Sequence, residues 1–155
     1  MPGVISIHEL RTRSHANMII LDVHIQVNPK ISVSEGHYIA EKIKAHLIKN
    51  IANIQDVMVH IDPEDDEKEP LSLNLPSRMS ITRKLNKLFQ QHGLPIGFKL
   101  QIHYLNGSVL LDFYYPFSQN THPGLSAKDI KTVIKETFQT KTNIAHVNLL
   151  FVKGS

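Results

Sequence analysis

Cysteine and tryptophan are both missing from the 155 residues of this chain, and the first absence narrows its chemistry at once. Without thiols there can be no disulfide and no thiolate-held metal, which excludes zinc ribbons and disfavours a Cu(I) site, so any metal must sit on nitrogen and oxygen. No run approaches the roughly 20 apolar residues that a membrane helix needs. The first residues also lack the basic-then-apolar pattern of a secretion signal, and the chain reads as soluble. Charge of one sign is scarce too. The formal net charge is only +3, with lysines and arginines scattered rather than massed, which argues against nucleic acid as a partner. What remains is an ordinary globular composition, long enough for one domain or two small ones, with one surplus: ten histidines. So much imidazole points to an affinity for metal ions or protons, if it is not chance.

Residues 4–9 (VISIHE) and 19–28 (IILDVHIQVN) read as strands. In the second, Leu21, Val23, Ile25 and Val27 alternate with Asp22, His24, Gln26 and Asn28, so one side is core and the other polar. The polar RTRSHAN between the two strands is expected to connect them as a hairpin. Pro29 ends the second strand, and Ser32 with Glu35 three residues on forms a capping box. The helix it opens carries an apolar stripe of Ile39, Ala40, Ile43 and Leu47 and fades near Asn50. QDVMVHIDP follows as a third strand.

Residues 64–78 are acidic, then contain proline and serine; they show no core-building period and read as a linker. The earlier order then returns behind an extra helix, whose face is Ile81, Leu85, Leu88 and Phe89 and whose stop is Gly93. FKLQIHYL and SVLLDFYYPF flank Asn106-Gly107, a strong hairpin signal. A helix capped by Ser126 and Asp129, bearing Ile130, Ile134 and Phe138, leads to the strand IAHVNLLFV. Aligned half against half, Asp22 falls on Asp112 and Ile54 on Ile144. The expected fold is α+β: two tandem ferredoxin-like ββαβ-type units, 1–63 and 79–155, each a small sheet covered on one face by helices.

Within VMVHIDP, alternation puts His60 and Asp62 on the face opposite Val57, Val59 and Ile61. If the first hairpin turns near Ala16, His8 and His24 stand equally far from the turn and face each other. His8, His24, His60 and Asp62 then form three imidazoles and one carboxylate on a single sheet face, a donor set of the kind zinc takes. A polar face with solvated histidines would give the same pattern, and the spacing matches no local motif such as HExxH. Both readings stay open at this level. The second unit has Tyr114, Leu150 and Val152 where the first has His24, His60 and Asp62, so such a site exists in one copy only. His15 and His46 read as solvated, His92 as a helix end, and His103 and His146 as structural residues without companion ligands. Arg11 and Arg13 read as surface ion pairs ahead of an anion site.

The segment VISIHELRTRSHANMIILDVHIQVNPKISVSEGHYIAEKIKAHL...DVMVHIDP resembles the carboxy-terminal cytoplasmic domain of the cation diffusion facilitator, or cation efflux, transporters. In that family an HDLRTR segment, an hxlHhxV strand, an sxxxAHxhA helix start and an hxHxDP strand recur in this order. The resemblance covers residue 4 to about 63. It implies a domain on the cytoplasmic side of the cell membrane that pairs with a second copy and binds divalent metal at the dimer contact. Carried over by motif, His8, His24, His60 and Asp62 correspond to one protomer's ligands, Asp62 to a bridge between two ions, and His37 to a ligand from the neighbouring subunit. The implied role is a dimerising regulator of a zinc-like efflux transporter rather than an enzyme. Its partners would be a second copy and the transmembrane domain of its own full-length transporter, with no nucleic acid. Zinc leads, while iron, manganese, cobalt and cadmium suit the same donors. A stand-alone metal-binding or metal-sensing protein is the alternative. Family members usually begin this domain with a helix, so the chain is expected to be a fragment of a longer transporter, and residues 79–155 are an extension to which the motifs assign no task.

Overall fold

β2 (Met18–Val27) organises the first unit. It buries Leu21, Val23, Ile25 and Val27 and turns Asp22, His24 and Gln26 to the opposite face, as a period of two requires. β1 (Val4–His15) pairs with it antiparallel on one side and β3 (Ile54–Asp62) parallel on the other, in the order β1-β2-β3. A parallel pair needs a crossover, which α1 (Val33–Asn50) supplies. Ser32 caps α1 by accepting a hydrogen bond from the Glu35 amide at 3.1 Å. Ile39 is buried, and Ile43 and Leu47 pack beside it against the sheet. Gly36 lets helix and sheet come close, since a Cβ there would lie 3.2 Å from Ile61 Cγ2.

The polar RTRSHAN segment is not a connection. β1 continues through it to His15, and the hairpin closes over Ala16 and Asn17 alone. Polarity was a poor guide because these residues belong to a ladder with one solvated face. From His15↔Met18 to Arg11↔Asp22 the pairing runs unbroken, and extended regularly it would set Glu9 against His24 and His8 against the core residue Ile25. A bulge intervenes between His8 and Arg11, and beyond it His8 pairs with His24 and Ser6 with Gln26. Glu9, inside the bulge, has a left-handed φ of 47°.

The computed structural model describes residues 1–65, 73–94, 96–116, 126–139 and 144–152; residues 66–72 of the expected linker lie outside them, as does Phe117. The chain divides into Met1–Pro70 and Leu71–Ser155. The second unit begins with α2 (Arg78–Gln91), followed by β4 (Lys99–Leu105), β5 (Ser108–Pro116), α3 (Ala127–Gln139) and β6 (Ile144–Val152). Its sheet order, β4-β5-β6, has the same antiparallel and parallel pairings as the first. Asn106 and Gly107 both take positive φ, 51° and 63°, as a tight two-residue hairpin turn demands. Phe89 of α2 packs its ring 5.7 Å from Phe113 and 5.6 Å from Tyr115. Ile81, Leu85, Ile130, Ile134 and Phe138 complete the buried core.

The two units share a strand register. Asp22 opposite Arg11 and Met58 becomes Asp112 opposite Gln101 and Asn148, a constant offset of 90 residues. Both are α+β, ferredoxin-like ββαβ units, the second with α2 in front. In the first unit Val23 and Ile25, equivalents of Phe113 and Tyr115, instead line an open apolar groove of about 640 Å³ with Ile7 and Leu10. Among the described residues no helix is long and apolar enough to cross a membrane.

Candidate metal centre

One cross-strand row, His8↔His24↔His60, spans the polar face of the first sheet. Asp62 stands in the next row opposite Gln26. From there its Oδ2 lies 2.8 Å from His24 Nδ1 and 3.3 Å from His8 Nε2. The ligand atoms of His8, His24 and Asp62 all fall within 4.8 Å of one another. In a tetrahedral shell with bonds of about 2.0–2.1 Å, donors are separated by roughly 3.3 Å, so the triangle needs to open only slightly to admit an ion.

The arrangement leaves a polar debt. Both ring nitrogens of His8 are buried without a hydrogen-bond partner, and the 3.3 Å approach to Asp62 lacks hydrogen-bond geometry. A buried polar atom left unmatched costs about 1–3 kcal/mol. A divalent cation beside Asp62 would use one of these nitrogens and the adjacent carboxylate charge together, so the residues present fit such an ion.

The other expected residues stand differently. His60 is exposed, and its ring stacks on His24 at 4.2 Å with planes 7° apart, but its nitrogens lie outside the close group. His37 is exposed on α1, away from the triad, at a cleft shared with Lys44 and Asp56. There the Lys44 ammonium, 2.8 Å from Asp56 Oδ1, holds that carboxyl below its usual range, and the Lys44 amine is raised in turn. Arg13 and Arg11 form ion pairs with Asp22 and Glu9. In the second unit His103 and His146 do have companions: His103 Nε2 is 3.5 Å from Asp112 Oδ2, and Asn148 links Asp112 to His146.

Glu9 escaped the reading of the sequence. Its Oε2 lies 3.4 Å from His24 Nε2 and its Oε1 is held by Arg11 at 2.6 Å. A bulge built on glycine would have left a visible trace, whereas a left-handed glutamate leaves none.

Imidazoles and a carboxylate gathered across the open face of a small α+β unit make a donor set of the kind zinc takes. Residues 1–64 match the sequence model of the family described as cation efflux protein, cytoplasmic domain. Metal tolerance protein C1 of Arabidopsis thaliana is 39% identical over 61 residues, which make up 39% of this chain and 13% of that protein. The cation-efflux pump FieF of Yersinia pestis is 32% identical over 62 residues, 40% of this chain and 20% of the pump. Among solved structures, the metal-bound C-terminal domain of the CzcD transporter from Thermotoga maritima shares 31% identity over 40% of this chain and 72% of that one, with a TM-score of 0.39. A MamM CTD in a cadmium form shares 30% over 41% and 79%, with a TM-score of 0.40. The chain thus spans 20% or less of the length of these curated relatives. Residues 1–64 thus resemble the cytoplasmic domain of the cation efflux, or cation diffusion facilitator, family.

Proposed function

We propose that residues 1–63 form a metal-binding, dimerising regulatory domain of a divalent cation efflux transporter, on the cytoplasmic face of the cell membrane, with zinc as the leading ion. The observation that supports this best is the imidazole of His8, both of its nitrogens buried and unmatched, beside the Asp62 carboxylate. His8, His24 and Asp62 hold the ion. His60, stacked on His24 at the edge strand, and His37 from a second copy would complete the shell when two copies meet, with Asp62 a ligand that two ions would share. The ion supplies positive charge that cancels repulsion between the carboxylates of facing copies. The dimer then biases the transmembrane part of the same transporter, and coupling of this kind amounts to about 1–3 kcal/mol. Residues 64–78 serve as a linker to the second unit, 79–155. The role is binding and regulation, not catalysis, and involves no nucleic acid.

Zinc calorimetry on the wild type and on Asp62→Ala, paired with sedimentation to follow dimerisation, tests the reading. The wild type is expected to bind zinc and to dimerise more tightly when loaded, with Asp62→Ala losing both the bridging stoichiometry and the tighter dimer. Unchanged stoichiometry and dimerisation in Asp62→Ala would remove the proposed site.

A further inference from the structure

The two nitrogens of His24 point to different carboxylates. Nδ1 faces Asp62 Oδ2 at 2.8 Å, in the triangle with His8, while Nε2 faces Glu9 Oε2 at 3.4 Å on the other side of the ring. Glu9 is in turn anchored through Oε1 by the Arg11 guanidinium at 2.6 Å. Without an ion, the hydrogen bond from Nδ1 to Asp62 Oδ2 places the ring proton on Nδ1. Building on the metal reading above, we propose that Glu9 is a positioning residue for the metal centre: when an ion takes the place of that proton, Glu9 closes from 3.4 Å to accept the proton on Nε2, which fixes the tautomer and leaves Nδ1 free to ligate. Histidines that hold metals commonly donate their second ring N–H to a carboxylate in this way, which orients the ring and raises its basicity.

Two independent features support an assigned role. First, Glu9 occupies a left-handed φ of 47°, a conformation that a side-chain-bearing residue adopts at a cost and that turns up where function over-determines the backbone. Second, the internal repeat acts as a control. In the second unit Lys99, the equivalent of Glu9, pairs directly with Tyr114, the equivalent of His24, and β4 pairs with β5 without a bulge. The first unit inserts a bulge at this point alone along β1 from His8 onward. One irregularity therefore does two things, moving His8 from the Ile25 side to the His24 side while keeping Glu9 within reach of His24.

The test separates the carboxylate from the bulge. Glu9→Gly keeps the left-handed backbone, which glycine adopts freely, and removes only the side chain; Glu9→Gln keeps an acceptor of the same length. Zinc affinity is measured by calorimetry, and the protonated nitrogen of His24 is assigned by imidazole ¹⁵N NMR on zinc-loaded protein. Glu9→Gly is expected to lose about 10–100-fold in zinc affinity, with Glu9→Gln retaining part of it, and His24 of the loaded wild type is expected to carry its proton on Nε2. Glu9→Gly binding zinc within twofold of wild type, or a loaded His24 protonated on Nδ1, would overturn the role. A wild type that binds no zinc overturns the metal centre with it, whereas loss in Asp62→Ala beside an unaffected Glu9→Gly overturns only the part played by Glu9.

Discussion

His8 and Asp62 come from opposite edges of the first sheet, yet His8 Nε2 lies 3.3 Å from Asp62 Oδ2, reaching across the central strand. Neither ring nitrogen of His8 finds a hydrogen bond, so in the metal-free protein this side chain should destabilise the fold it belongs to. His8→Leu, apolar and of similar bulk, is therefore expected to raise metal-free stability by about 1–3 kcal/mol and to abolish stabilisation by zinc. The wild type should gain about 2.7 kcal/mol at zinc a hundredfold above its Kd. Urea denaturation with and without zinc checks both, and a His8→Leu protein less stable than the metal-free wild type would show that the imidazole is already satisfied.

Metal binding at this centre should weaken with acid. Imidazole ligates only when neutral, so protons and zinc compete for the nitrogens of His8 and His24, and loading releases protons. Zinc affinity is expected to be substantially lower at pH 5 than at pH 7.5, and calorimetry in buffers of different ionisation enthalpy should detect the released protons. Equal affinity at the two pH values would leave the centre resting on carboxylates alone.

Much of this was legible in the sequence because each strand has one buried face. The alternation of β2, the Ser32–Glu35 cap and the Asn106-Gly107 turn are local signals, and the structure follows them. His8 was expected opposite His24, and it is, although for a reason other than symmetry about the turn. The loop centres between Ala16 and Asn17, and a regular ladder from there would have sent His8 toward the core; the bulge at Glu9 restores the pairing. A one-residue slip of this kind flips a side chain to the other face, and nothing in the residue types announces it. His37 shows a different limit. It stands on the helix layer apart from the triad, so its place in the site depends on a second chain.

The start of α3 offers a pH test in the second unit. The Ser126 hydroxyl and amide both donate to Asp129 Oδ2, at 2.6 and 2.9 Å, and hold its carboxyl below the usual range. A depressed folded-state value means that ionised Asp129 stabilises the helix start above the ordinary carboxylate range, and that this contribution disappears as pH falls through the lowered value. NMR titration should find Asp129 among the most acidic aspartates, together with Asp56. Ser126→Ala should move Asp129 back up and make the first turn of α3 exchange its amides faster; an unmoved titration would place the cause elsewhere.

Phe89 decides whether the second unit is needed for metal binding. Its ring is fully buried among Phe98, Phe113 and Tyr115, so Phe89→Ala should cost about 3–5 kcal/mol through lost burial and the cavity left behind. All the donors of the proposed centre lie in residues 1–63 on β1, β2, β3 and α1, and none of the core of that unit includes Phe89. The variant is therefore expected to lower the denaturation midpoint of the second unit, followed by tyrosine fluorescence from Tyr104, Tyr114 and Tyr115, while zinc affinity measured by calorimetry stays within twofold of wild type. A large loss of zinc affinity in Phe89→Ala would mean that the second unit holds the first in its binding form, and the linker reading of residues 64–78 would give way to a single coupled domain.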